Sequence, residues 1–143
     1  MIFGPTHGTP MENGSFRAHL SAPGYGVAEL RAAFDECIRE GEAGNLGVVE
    51  LEAGLVAATV LLASHDIDVP GADIVTATLS ADRLAAIRAG VPIDQAMQAL
   101  DWIEAALSRG LLDDLGTEAS VAEDFRRNVT WLKVRMSDLQ VMA

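Results

Sequence analysis

Apolar residues are densest from 46 to 65, Leu-Gly-Val-Val-Glu-Leu-Glu-Ala-Gly-Leu-Val-Ala-Ala-Thr-Val-Leu-Leu-Ala-Ser-His, and Thr59 is the only polar side chain from Ala53 to Ala63. A helix that is apolar nearly all the way round has to be enclosed by other elements. The stretch therefore predicts a central helix with a ring of partners. Gly47, Gly54 and Ala58 fall near one line of it. A glycine inside a helix costs about 1 kcal/mol against alanine, and close approach of a neighbouring backbone offsets that cost, so the line predicts a packing seam. The run is too short to cross a bilayer, which takes about 20 residues.

The flanking segments alternate at helical spacing. Val27, Leu30, Phe34, Cys37 and Ile38 form one face of an amphipathic helix that Gly41 and Gly44 stop, and Asn45 is placed to cap the central helix. His65 to Gly71 ends the central helix, and Pro70-Gly71 marks a turn that leads into a loop. Ser80 or Thr78 is placed to cap a short helix with Leu84, Ile87 and Val91 inward. A further helix is predicted over Ile93 to Arg109, with Ile93, Met97, Leu100, Ile103 and Leu107 facing the core. The last helix, capped by Thr117 or Ser120, carries Val121, Phe125, Val129, Leu132, Met136 and Leu139 at steps of three and four and reaches about Gln140. Residues 1–24 hold Gly4, Gly8, Gly14, Gly24, Pro5, Pro10 and Pro23. They predict an irregular arm with at most a short helical piece from about Ser15 to Leu20, capped by Asn13 or Ser15. The expected fold is all-α: a compact bundle of about five to six helices around the central one, forming a single domain over residues 1–143 with its core in residues 25–143.

Charge narrows the function more than the fold does. Ten Lys and Arg face 21 Asp and Glu, for a formal charge of −11. Binding a phosphate backbone relies on a basic face that releases counterions, so nucleic acid is excluded as a partner. An acidic membrane surface is disfavoured on the same ground. A field of this size steers oppositely charged proteins, although a well-solvated surface explains it equally. Cys37 is the single cysteine and leaves no disulfide framework. With no basic segment leading into an apolar one near Met1, the expected location is the cytoplasm.

Few residues suggest chemistry. His65-Asp66-x-Asp68 offers one imidazole and two carboxylates to zinc or manganese. The spacing matches no metal motif, and a solvated helix end accounts for it as well. Glu50 and Glu52, near the start of the apolar helix, are candidate acid or base groups if buried, yet a first-turn carboxylate is favoured by the helix dipole alone. Cys37 shares the apolar face of Phe34 and Ile38 and reads as a structural thiol. Trp102 and Trp131 are rim residues of the core or anchors of an interface, and Arg135 is placed to cover the ring of Trp131. Nothing in the sequence implies a cofactor.

The segment Pro10-Met11-Glu12-Asn13-Gly14-Ser15 resembles the opening of a bacterial family catalogued as domain of unknown function 4259. Members open with a Gly-x-Trp-Gly stretch, then Pro-Phe-Asp/Glu-Asn-Asp and a short helix. His7-Gly8-Thr9 stands where Trp-Gly-Thr stands there, Met11 replaces Phe and Gly14 replaces Asp. The stretch from Glu52 to Thr59 is similar to the family's Ala-rich central helix, and Trp131 to Leu139 to its final one. The resemblance implies an all-helical domain of unassigned function and carries over no catalytic residue or substrate.

Together these features predict a non-enzymatic domain that uses its acidic surface to bind a basic protein, in the manner of an immunity or inhibitor protein. Asp35, Glu36, Glu40, Glu42, Asp101, Glu104, Asp113 and Asp114 are the candidate surface. The alternatives are a small metal- or ligand-using enzyme built round Glu50, Glu52, His65 and Asp68, and a self-associating module, a homo-oligomer, whose final helix pairs with its copy.

Overall fold

The structure, a computed structural model, describes residues 18–21, 24–69, 71–111 and 119–142. Every regular element among them is a helix: α1 (Val27–Glu42), α2 (Val48–Ser64), α3 (Ala72–Thr78), α4 (Ala81–Gly90), α5 (Ile93–Ser108) and α6 (Ala119–Met142), with residues 18–20 adding a helical piece. The N-terminal arm up to Arg17, its proposed caps Asn13 and Ser15, and Thr117 lie outside the described residues. So do Asp113 and Asp114.

α2 is the centre of the bundle. From Leu51 to Ser64 every side chain but Ala53 is buried, and α2 packs against each of the other five helices. Thr59 satisfies its hydroxyl within the helix by donating to the Leu55 carbonyl at 3.0 Å, so the polar interruption leaves nothing unpaired in the core. α5 lies between α1 and α6 and packs on both. Leu30, Phe34 and Cys37 of α1, Leu100, Ile103 and Leu107 of α5, and Phe125, Val129, Leu132 and Met136 of α6 fill one continuous core with α2. The predicted inner faces are the observed ones. The side chain of Val121 is not among those described.

Glycines set the distances between helices. A Cβ on Gly54 would stand 2.7 Å from Cys37 Sγ and 2.9 Å from Ile103 Cδ1, so both α1 and α5 close on α2 there. A Cβ on Gly41 would fall 2.6 Å from Cγ of Trp102. Gly41 is thus a contact point inside α1 and not its stop, a correction to the sequence reading. Gly47 is likewise the N-cap of α2 and not part of the seam. Asn45 does not cap α2. Instead the Gly47 amide donates to Glu50 Oε1 at 2.9 Å, and the carboxylate three residues into the helix replaces the missing side-chain cap.

Three helices end in the same way. After α1, Gly44 (φ +76) donates to Gly41 O and Asn45 to Glu40 O; after α5, Gly110 (φ +89) donates to Leu107 O and Leu111 to Ala106 O. After α2 the same two bonds run from Asp66 to Ala63 O and from Ile67 to Leu62 O, but here the left-handed position is held by Asp66 at φ +61. α3 replaces the predicted loop. Its sequence, Ala-Asp-Ile-Val-Thr-Ala-Thr, is rich in β-branched residues with low helix propensity, and burial of Val75 beside α2 holds it in place. α4 starts where predicted, with Ser80 Oγ accepting from the Arg83 amide at 3.2 Å. Ser120 lies inside α6, which begins at Ala119, and so is not its cap.

Candidate functional site

A cleft of about 690 Å³ lies between α1, the start of α2 and residues 18–19. Small side chains line it: Ala32 and Ala33 from α1 and Ala53 from α2. Val49 stands at its edge with 77% of its surface exposed, although valine is apolar and the core lies one turn away. Glu29, Glu36 and Glu50 supply carboxylates around the opening, with Tyr25 and His19 at one end.

Each of these groups is held from behind. Glu29 Oε1 accepts from the Gly26 amide at 2.9 Å and so caps α1, as Glu50 caps α2. The Glu50 carbonyl accepts from Cys37 Sγ at 3.1 Å, which ties the two walls together. Burial, with Glu50 and Glu36 nearby, pushes the Cys37 thiol up to about 12, so it stays protonated at neutral pH. Tyr25 is buried, its carbonyl accepts from Arg83 Nη1 at 2.9 Å, and burial, with Glu29 nearby, raises its phenol well above the ordinary range. Glu36 is paired with Arg39 one turn on.

Glu52 is only 6% exposed, and His19 Nε2 lies 3.1 Å from its Oε1. Sequence reasoning picked Glu52 and missed this partner, because 33 residues separate the two and no local pattern connects them. The capping role of Glu29 was legible in principle, since a Glu three residues after a Gly-Val step opens an apolar run.

The other singled-out residues are placed elsewhere. His65 and Asp66 belong to the C-terminal cap of α2, and Asp68 is exposed in the segment that follows. Arg88 donates from Nε to the Ser64 carbonyl and from Nη2 to Asp66 Oδ2 at 3.3 Å. Burial, then the Arg88 charge, lowers the His65 pKa against a smaller opposite pull from Asp66. Among the described residues no three His, Cys, Asp or Glu side chains converge to hold a metal ion.

The candidate acidic surface divides between two seams. On α1, Asp35 takes a hydrogen bond from Gln95 of α5, and Arg39 faces both Glu36 and Glu40. On α5, Asp101 and Glu104 turn to α6, where Lys133 Nζ meets them at 2.7 and 2.9 Å. Burial would lower the Lys133 pKa, but these two carboxylates outweigh it and raise the value. Glu42 has no ion pair among the described residues. No helix among them is long and apolar enough to cross a membrane.

Residues 7–15, which carry the opening of the family resemblance, lie outside the described residues. Comparison with protein-family models, with curated proteins and with solved structures found no match to this chain.

Proposed function

We propose that the protein is a non-enzymatic interaction domain that binds a basic partner in the cleft between α1 and α2. One observation carries the reading: alanines and an exposed valine line a cleft that three carboxylates, Glu29, Glu36 and Glu50, also border. Apolar surface supplies the burial that drives association, and the carboxylates select the sign of what is admitted. The charge of the two walls agrees with it. α1 and α2 together carry seven carboxylates against Arg31 and Arg39, and Glu40 and Glu42 continue the negative surface to the end of α1. The partner that fits is an amphipathic helix with a narrow apolar face flanked by Lys or Arg.

Native mass spectrometry of the protein purified from its host at low salt tests this, followed by affinity measurements on any partner found. The expected outcome is a basic protein whose affinity falls as salt rises. The same affinity falls by about tenfold or more with Ala32→Trp, which fills the cleft, and with Glu36→Lys, which reverses one of its charges. A spectrum without a basic protein, or a partner indifferent to salt and to both substitutions, sinks the reading.

One observation favours a second reading, in which the cleft takes a small molecule. His19 held on buried Glu52 is an oriented base beside a cavity of ligand-pocket size. A low-mass adduct in the same spectrum, lost on His19→Gln, belongs to this reading and not to the first.

A further inference from the structure

The outer face of α6 carries its own pattern, remote from the cleft. Val134 is 53% exposed, Trp131 is half-buried, and both border a shallow groove of about 490 Å³ on this helix with Arg127 and Arg135. Arg135 lies over the Trp131 ring, 5.2 Å from its centroid, as its position four residues on predicts. In a chain of net charge −11, four of the ten basic residues, Arg126, Arg127, Lys133 and Arg135, are on this one helix. The face has no cover among the described residues.

Its spacing specifies an occupant. Arg127 and Asp138 are both exposed and eleven residues apart, which is three helical turns, so they lie on one line of α6. Trp131 and Val134 sit between them, equally far from the same midpoint. A twofold axis through that midpoint, between Leu132 and Lys133, makes the face complementary to itself. We infer that α6 pairs antiparallel with α6 of a second copy of this chain, each Trp131 packing on the other copy's Val134 and each Arg127 facing the other copy's Asp138.

Two features pin the register. Moving the axis to Trp131 sets Arg127 against the second copy's Arg135, and moving it to lie between Thr130 and Trp131 sets Glu123 against the second copy's Asp138. Like charges then oppose each other. Within its own chain Asp138 is 3.8 Å from Arg135, beyond hydrogen-bond length, so its oxygens are open to a second donor. A closed twofold is also the commonest symmetry for identical subunits. This pairing is independent of the cleft and of what binds there.

One helix face from each copy makes an interface at or below about 1,200 Å², the range of weak association. Sedimentation velocity on the full chain at concentrations up to about 1 mM reads it. The expected result is a monomer–dimer equilibrium. Val134→Asp and Arg127→Asp each weaken it by about tenfold or more, and Arg127→Asp combined with Asp138→Arg restores it. These positions are exposed, and circular dichroism verifies that each variant keeps its helix content. A monomeric mass at every concentration overturns the inference, as does a dimer that ignores the charge reversal or is not restored by the exchange.

Discussion

At the scale of single residues, the ends of three helices form an internal comparison. Gly44 and Gly110 occupy the left-handed position without steric cost, whereas Asp66 occupies it with a Cβ that crowds the backbone. Its side chain returns little, since it is 88% exposed and its pairing with Arg88 at 3.3 Å is screened. Asp66→Gly is therefore expected to stabilise the fold by about 0.5–1 kcal/mol, the relief of strain exceeding the added freedom of the unfolded chain. Urea unfolding with an unchanged slope checks it, and a lowered midpoint contradicts it. His65, Asp66 and Asp68 stood out in the sequence as possible ligands because imidazole and carboxylates are adjacent there. Adjacency in sequence does not state which backbone conformation a residue holds, and for Asp66 that conformation is what matters.

At the scale of elements, periodicity gave the buried faces and nearly all the helices. Leu30, Phe34 and Cys37, or Leu100, Ile103 and Leu107, face inward because apolar residues at steps of three and four have only one face to occupy. α3 was illegible, since seven residues span two turns and its burial comes from α2, which its own sequence does not contain. Gly41 was legible as a helix glycine but not as a contact, because Trp102 is far away in the chain. Gly41→Ala sharpens the difference. Helix propensity alone favours alanine by about 1 kcal/mol, yet the new methyl would lie 2.6–2.7 Å from Cγ, Cβ and Cδ2 of Trp102. Cβ is fixed to the backbone, so α5 itself has to shift. The expected net loss is about 1–3 kcal/mol, read by thermal unfolding, with a change in tryptophan emission. A gain in stability instead would mean that α1 and α5 do not meet there. The candidate site was the least legible part: the cleft joins His19, Glu29 and Glu50 from three separate segments, and only their charge was visible beforehand.

At the scale of the whole molecule, acid stability carries a signature of His65. Its folded-state pKa is lowered by burial and by Arg88, so as pH falls the unfolded chain takes up the proton first. The contribution is complete above the ordinary histidine value of about 6.5 and is lost as pH falls from there through the folded value. Unfolding midpoints are expected to be flat near pH 7 and to decline toward about pH 5, with His65→Gln removing part of the slope. An identical slope in the variant would show that His65 does not carry the decline. Lys133 acts at the other extreme. With its pKa raised by Asp101 and Glu104, its contribution is intact at neutral pH and is lost only as pH climbs through the folded value.

The enclosure of α2 has a consequence for synthesis. Its covering helices come from both sides of it in the sequence, and α4, α5 and α6 all follow it. A ribosome adding about 5–20 residues per second needs roughly 4–16 s to make the roughly 80 residues between the end of α2 and the end of α6. Over that interval the rod of leucine, valine and alanine has α1 against it at first and gains α3, α4 and α5 in turn, with α6 still to come. The newborn polypeptide is thus expected to show water part of the aliphatic surface of α2 until α6 has been made.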